Sequence, residues 1–572
     1  MECGSCHEKH NVIFVCEPAI EHYALRFVHV RVPLAWASWV LGGTNAWSGE
    51  WQYSLVGDNG AQFTFLGRLH YANHIASHKE VCEVNQNVQY KEIVMQITTR
   101  EFLRRLGLGG AGLVGGAALA DEFVATNKKL PPGAIGDPDA VWFGQRIYPL
   151  PHTFEDGPSC YMKDGKIVQP AREIPIFHKT DVVVVGGGPA GFAAAIAAAR
   201  NGAKVALVER YGSLGGLFTN GMVLIMLATS RREENGKCTL VTKGVCEEFM
   251  NRAVALGPKV TSKHPRAKDR GHWQPTVDPE AAKYLMDTMI AEAGVEMFFH
   301  SWGVDVVQDG DAVRGVVFQS KQGPQAILAK QVVDASGDGD IFFAAGCGYR
   351  QITHAIGFIT RLGNMDRITA KKPPENIETD IYGLKKPWPM RGNEENPSTG
   401  WFGRLGPQGD GISVRDLSKA EVLHRKYWWE HVSKMQKTPG WEEVYIANTC
   451  SQIGPRATRL LDAEFIHSRA NERAGGNAKE VIGWFGADGS KHPAMPVSYR
   501  SLVPKKGENI LAAGRCLGAP DSVDTFRLIC PCFVTGEAAG TAAALCAKMG
   551  VTPRNLPYSA LAKALKDKNV YL

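Results

Sequence analysis

The pattern of apolar and polar positions changes character along the chain. From Thr180 onward, short β-branched runs alternate with alanine-rich or amphipathic stretches, which predicts strands alternating with helices. The clearest unit begins with Asp181-Val182-Val183-Val184-Val185, suited to a buried parallel strand. Gly186-Gly187-Gly188-Pro189-Ala190-Gly191 follows, then an alanine-rich helix over 192–201 ended by Gly202. A second strand, Lys204-Val205-Ala206-Leu207-Val208, closes at Glu209. Further strands are predicted at 294–296, 304–307, 331–334 and 509–513. Val277-Asp278-Pro279-Glu280 opens one helix, and Gly536-Glu537 begins a small-residue helix. Before Thr180 the pattern weakens, and the first 94 residues show little sustained periodicity of either kind. The uncharged run 182–199 is broken by glycine and proline, and 106–120 is short and glycine-rich. Neither reads as a membrane span, which needs about 20 apolar residues.

The pattern divides the chain into an atypical segment 1–94, a segment 95–120, an extended Pro- and Gly-rich arm 121–179, a strand–helix region 180–350, an inserted region 351–498, and a return to the first pattern at 499–572. Length fits this, since 572 residues allow about three or four domains. Hydrophobic residues at 44% and charged residues at 21% exclude disorder, collagen and coiled coil for the whole. A net charge of +6 spread over this length lacks the concentrated basic face of a nucleic-acid binder. The 62 glycines call for tight turns or close backbone approach to a ligand. Thirteen cysteines are too sparse for a disulfide scaffold.

The N-terminal part holds two motifs. Cys3-Gly4-Ser5-Cys6-His7 matches the c-type haem attachment pattern, with no distal ligand in view, so a chance match is the plainer reading. Arg100, Arg104 and Arg105, the apolar stretch 106–117 and Ala118-Leu119-Ala120 are the parts of an export signal. The stretch resembles a twin-arginine signal, with Thr99 where the first arginine of the pair would stand. Two readings stand: Met95 is the natural start and 1–94 is translated upstream sequence, or 1–94 is an ordinary domain joined by a glycine-rich helix. The first implies export to the periplasm or cell envelope, with a mature chain from Asp121; the second leaves the protein cytoplasmic.

The chemistry is concentrated after Thr180. In strand–Gly186-x-Gly188-x-x-Gly191–helix–strand–Glu209, Gly186 permits the tight turn, Gly188 lets a pyrophosphate approach the backbone and Gly191 lets helix and strand pack closely. The helix N-terminus, opening with Pro189-Ala190, offers free N–H groups to phosphate, and Glu209 can accept from ribose hydroxyls. Gly107-Leu108-Gly109-Gly110-Ala111-Gly112 fits the same pattern but follows no strand, so it carries no such reading. After Glu209 comes Arg210, then a second glycine loop with Gly215-Gly216-Leu217. Later come the strand-to-loop segments Asp334-Ala335-Ser336-Gly337 and Ala513-Gly514-Arg515, and the helix segment with Gly536 and Ala539.

Together these segments resemble the FAD-dependent oxidoreductases related to the flavin domain of heterodisulfide reductase, and more distantly the fumarate reductase flavoproteins. The resemblance covers the chain from about Thr180 to its end. It implies an α/β fold: a Rossmann-like FAD-binding domain with a parallel sheet and an inserted α+β substrate or cap domain. It implies FAD as cofactor, with Val304 lending backbone groups to the adenine and the Gly536 helix approaching the flavin. It implies hydride transfer at the flavin N5 to or from a small organic substrate, and leaves the electron acceptor, the direction and the oligomeric state open. The alternative is an electron-transfer flavoprotein working within a heterodisulfide-reductase-like complex. A 4Fe–4S cluster would follow from the family name alone. Cys160, Cys238, Cys246, Cys347, Cys450, Cys516, Cys530, Cys532 and Cys546 lack the spacing of a cluster site, and no other metal site is expected.

For catalysis, Arg527 falls on a family-like position facing the flavin and suits an anionic substrate. His354 and His272 could titrate near neutral pH, and Arg456 is a further anchor. Structural roles as an ion pair or a packed histidine compete with each of these readings.

Overall fold

In the computed structural model, the described residues are 46–56, 62–72, 160–233, 238–263, 275–370, 388–390, 398–468, 478–486, 494–521 and 523–572. The chain divides into two units, Met1–Leu108 and Gly109–Leu572. In the first, Ala46–Val56 and Gln62–Ala72 pair antiparallel over 11 residues each, from Ala46 opposite Ala72 to Val56 opposite Gln62. This corrects the expectation of little strand periodicity there. Trp47, Trp51, Tyr53 and Leu55 alternate with polar residues, a period of two that the scattered histidines obscure. The haem-like motif, the segment 95–120 and most of the arm lie outside the described residues.

The second unit is organised around strand β1 (Ile176–Val185), helix α1 (Pro189–Arg200) and strand β2 (Val205–Val208). Valines 182–184 are completely buried, which fits a strand covered on both faces. Helix α2 (Val245–Ala255) and helix α3 (Pro279–Glu292) come next. Asp278 caps α3 by accepting from the Glu280 and Ala281 N–H groups, with Pro279 at the first helical position. Strand β3 (Glu296–Phe298) then returns parallel to β2.

A meander of β4 (Trp302–Asp309), β5 (Ala312–Ser320) and β6 (Gly323–Asp334) completes the sheet in the order β3-β2-β1-β6-β5-β4. The start of β6 pairs antiparallel with β5. Its end pairs parallel with both β1 and strand β10 (Ile510–Ala512). The last strand thus returns beside β6 after the whole inserted region. Helix α5 (Ile529–Met549) lies against α1 so closely that a Cβ on Gly536 would stand 2.0 Å from the Ala190 carbonyl oxygen. Helix α5 has the length and hydropathy of a membrane span, yet 94% of that apolar window is buried in the domain.

The inserted region forms an antiparallel sheet from β7 (His354–Gly363), β8 (Thr399–Gly409) and β9 (Tyr445–Thr449), joined by Trp388–Met390 and Gly454–Pro455. Helix α4 (Val414–Gln436), capped by the Ser413 hydroxyl on the Asp416 N–H, packs across it. Tyr427 and Trp428 are buried against Phe358, Leu362 and Trp401. A short helix, α6 (Tyr558–Asp567), packs near α5 at the end of the chain.

Candidate active site

The carboxyl ends of β1, β2 and β6 open onto a cavity of about 790 Å³. Ligands in open parallel sheets bind at this edge. At its floor the β1–α1 turn is held by steric necessity. Gly186 has φ +98°, and a Cβ there would sit 2.4 Å from the Ala335 carbonyl oxygen. A Cβ on Gly191 would be 1.7 Å from the Gly186 carbonyl oxygen. Gly188 is the opposite case: no described residue lies within 4 Å of a Cβ placed there. Its missing side chain leaves open space at a helix N-terminus, where backbone N–H groups and the helix dipole favour phosphate.

Glu209 ends β2 on the same floor, 4% exposed. Its carboxylate accepts from the Gly187 N–H at 2.6 Å and the Tyr211 N–H at 2.8 Å, while burial pushes its pKa up. Beside it the Arg210 guanidinium lies over the rings of Tyr211, at 5.0 Å, and Trp302, at 5.3 Å. The loop after β6 is fixed by Asp334. Fully buried, Asp334 accepts from Ser336 Oγ at 2.7 Å and from the Ile341 and Phe342 N–H groups. Arg515 crosses over Gly337 to Asp338 at 2.5 Å, and its buried Nε has no hydrogen-bond partner among the described residues. These groups fit a dinucleotide: an open backbone cradle, an acid for ribose and a buried cation beside the loop.

Arg456, Arg527, Leu528 and Cys532 line the same cavity together with Phe358, Ile359 and Leu405. Asp524 lies between the two arginines, 3.4 Å from Arg527 and 3.9 Å from Arg456, and 3.3 Å from His354 Nε2. Burial lowers the Arg527 pKa to about 10, reinforced by repulsion from Arg456, so Arg527 remains a cation at neutral pH. Burial also lowers Arg456. For Asp524 burial acts upward, but Arg527, Arg456 and His354 outweigh it and hold the carboxyl below its usual range. Two largely desolvated cations thus share one half-exposed carboxylate.

Of the residues expected at the site, Gly186, Gly188, Pro189, Ala190, Glu209, Arg210, Gly216, Leu217, Ala335, Gly337, Gly514 and Arg527 all line this cavity. Gly191 and Gly215 lie just behind the wall: Gly191 packs under the turn, and the Gly215 N–H donates to the Gly187 carbonyl, tying the two glycine loops together. Three assignments are corrected. Gly536 and Ala539 are not at a helix start, because α5 begins at Ile529. They are buried mid-helix, where Gly536 meets the backbone of α1, and the end of α5 that reaches the cavity is Leu528–Ile529 and Cys532. Val304 is 47% exposed, and Ser301, Trp302 and Gly303 line the cavity in its place.

His354 stands behind Asp524, outside the cavity wall. Its Nδ1 accepts from the Ala355 N–H, so Nε2 carries the proton it directs at Asp524, and burial lowers its pKa. That arrangement positions a carboxylate and leaves no free base. His272 lies outside the described residues. Sequence reasoning missed Asp524, although its i,i+3 spacing from Arg527 was a signal. It also missed Arg515 as a cavity residue. Among the described residues no group of three or more His, Cys, Asp or Glu converges as a metal site.

The family model described as FAD dependent oxidoreductase matches residues 181–565. The chain belongs to this family. Its cofactor is FAD, and it is an oxidoreductase with the Rossmann-like α/β fold. Curated relatives match only locally. A stretch of 49 residues is 59% identical to dihydrolipoyl dehydrogenase of Trypanosoma brucei brucei, covering 9% of this chain and 10% of that protein. A stretch of 62 residues is 42% identical to the Manduca sexta enzyme of the same name, covering 11% and 12%. The flavoprotein thus spans about a tenth of the length of the curated relatives it matches. Among solved structures, it is similar to a geranylgeranyl bacteriochlorophyll reductase-like protein from Thermoplasma acidophilum, with 14% identity, 68% of this chain and 83% of that chain covered, and a TM-score of 0.35. It is also similar to p-nitrophenol 4-monooxygenase from Pseudomonas putida, with 13% identity, 68% and 84% covered, and a TM-score of 0.38.

Proposed function

We propose that this flavoprotein oxidises or reduces a small organic anion held by Arg456 and Arg527. The observation that carries the reading is the arginine pair itself. Two guanidinium groups are partly desolvated on the wall of the FAD cavity, and Asp524 is the carboxylate between them. A buried cation short of counter-charge favours an incoming carboxylate, and Arg presents a planar fork that matches it. FAD, when bound, supplies the two-electron redox chemistry. Gly186 to Gly191 and Glu209 would hold its pyrophosphate and ribose, and Arg515 would face its phosphate side. The apolar residues Phe358, Ile359 and Leu405 exclude water from the organic part of the substrate. His354 keeps Asp524 oriented between the arginines.

The closer kinship with the flavin domain of heterodisulfide reductase belongs to the same proposal and rests on the four motif segments. The test is anaerobic bleaching of the purified yellow protein by a panel of carboxylates, sugars and alcohols, with no partner protein present. Bleaching by carboxylates supports the reading. Bleaching by neutral compounds alone, or only after a partner protein is added, overturns it.

A further inference from the structure

Five large apolar side chains among the described residues are more than 60% exposed: Val414 at 77%, Met162 at 71%, Trp429 at 70%, Ile167 at 69% and Val422 at 62%. Three of the five belong to α4. At 3.6 residues per turn, Val414, Trp429 and Val422 fall within an arc of about 80° on that helix; Ala420, His424, Tyr427, Trp428 and Met435 are buried on the other side, and Val432, at the angle of Val414 but near the end of the helix, is buried as well. Cations surround the stripe. Arg425 lies within the arc, and Arg415, Lys419 and Lys426 border it, all of them exposed. From Val414 to Lys437 the segment carries six Lys and Arg against three Asp and Glu. Arg425 pairs with Glu421, and Lys426 approaches Glu430 at 3.8 Å, leaving Arg415 and Lys419 as surplus charge on this face.

We propose that the outer face of α4 docks the protein on an anionic lipid surface, with Trp429 and Val422 entering the headgroup boundary. An apolar stripe that includes tryptophan, flanked by Lys and Arg on a helix lying flat, is the arrangement by which interfacial helices bind membranes. Anionic headgroups answer the surplus charge, and the acyl boundary answers the stripe. A second copy of this face would set like charges against each other. A nucleic acid would meet the cations but leave the aliphatic stripe without an apolar partner. The cationic face is local, which is why a net charge of +6 over the whole chain did not reveal it.

The test uses the full-length, FAD-loaded protein in co-sedimentation with vesicles of phosphatidylcholine alone, and of phosphatidylcholine with about one-third phosphatidylglycerol. Binding to the anionic vesicles is expected to exceed binding to the neutral ones by roughly tenfold or more, and to fall in high salt. Trp429→Ser should weaken it about fivefold. Arg415→Gln with Lys419→Gln should weaken it about thirtyfold. FAD content and the thermal midpoint of each variant report the fold, since these side chains point away from the core. Equal binding to both vesicle types, no binding at all, or binding unchanged in both variants overturns the proposal. A change in oligomeric state on Trp429→Ser, with no change in vesicle binding, also overturns it and assigns the face to a second copy of the chain.

Discussion

The wall of the cavity that faces the dinucleotide is made largely of backbone, and the wall that carries Arg456 and Arg527 is made of side chains. The first comes mostly from one continuous stretch, Gly186 to Leu217, with the loops at Ala335 and Gly514 closing over it. The second brings together β7, the residue after Gly454–Pro455, and the turn before α5, segments far apart in the chain. A backbone wall tolerates almost no substitution, because the shape itself is the binding group. A side-chain wall can be edited one charge at a time without disturbing the fold. The difference predicts how each wall responds to mutation.

The largest effect is expected within the backbone wall, and it separates fold from cofactor. Gly191→Ala places a Cβ 1.7 Å from the Gly186 carbonyl oxygen. The turn must move, at a cost of about 3 kcal/mol or more, so little folded protein should be recovered. Gly188→Val places its side chain in open space. It should leave far-UV circular dichroism intact while the purified protein loses its yellow colour. Retention of full FAD occupancy by Gly188→Val would show that the pyrophosphate does not approach there.

On the side-chain wall, Arg527→Lys keeps a positive charge but loses the planar fork. A charge-assisted hydrogen bond contributes about 1.5–3 kcal/mol, so kcat/KM for an anionic substrate should fall roughly ten- to a hundredfold. The visible FAD spectrum should change little, and neutral substrates should lose far less. Wild-type rates on the best anionic substrate would make Arg527 structural.

The same contrast governs what could be read in advance. Local rules identify the nucleotide wall because turn, helix start and acid must follow one another at fixed spacing, and Glu209 arrives where the second strand ends. Arg527, named from residue type and position, lines the cavity; Asp524 was not named, and His354 was named for catalysis but stands behind Asp524. Their roles depend on which side of a wall each side chain falls, and pairing across segments decides that. The Gly536 assignment failed for a related reason. Small residues mark close approach, and the approach proved to be helix α5 on helix α1. Nothing in the local sequence says whether a ligand or a backbone fills the space.

Glu537, one residue beyond Gly536 on α5, gives a smaller effect that depends on pH. It is buried beneath the start of α2, where it accepts from the Val245 N–H at 3.0 Å, and burial raises its pKa to about 8. A carboxyl raised above its unfolded value favours folding in its protonated form. That stability is fully present below the ordinary carboxylate range and is lost as pH rises toward about 8. Glu537→Gln keeps an acceptor for Val245 and removes the titration. Thermal midpoints of the two proteins should be close near pH 5. The variant should gain stability over wild type progressively as pH rises toward about 8. Parallel pH profiles would mean that Glu537 stays ionised in the fold.

The smallest effect is expected from Asp524→Asn, and it bears on whether the side-chain wall waits for an anion. Asp524 is the carboxylate between Arg456 and Arg527, and its side chain is 46% exposed. If an anionic substrate takes the place of this carboxylate, the two compete for the same guanidinium groups. Removing the charge should then strengthen binding. Solvent screens so exposed a group, so the gain is modest, about 1.4- to fivefold in Kd, from the 0.2–1 kcal/mol typical of exposed pairs. The measurement is titration of a non-reacting carboxylate, followed by its perturbation of the FAD absorbance in wild type and variant. His354 loses the partner that raises its pKa, so it stays neutral and adds no charge to confuse the result. Weaker binding in Asp524→Asn would reverse the reading. Asp524 would then be the residue that holds Arg527 in place for the substrate, and not its competitor.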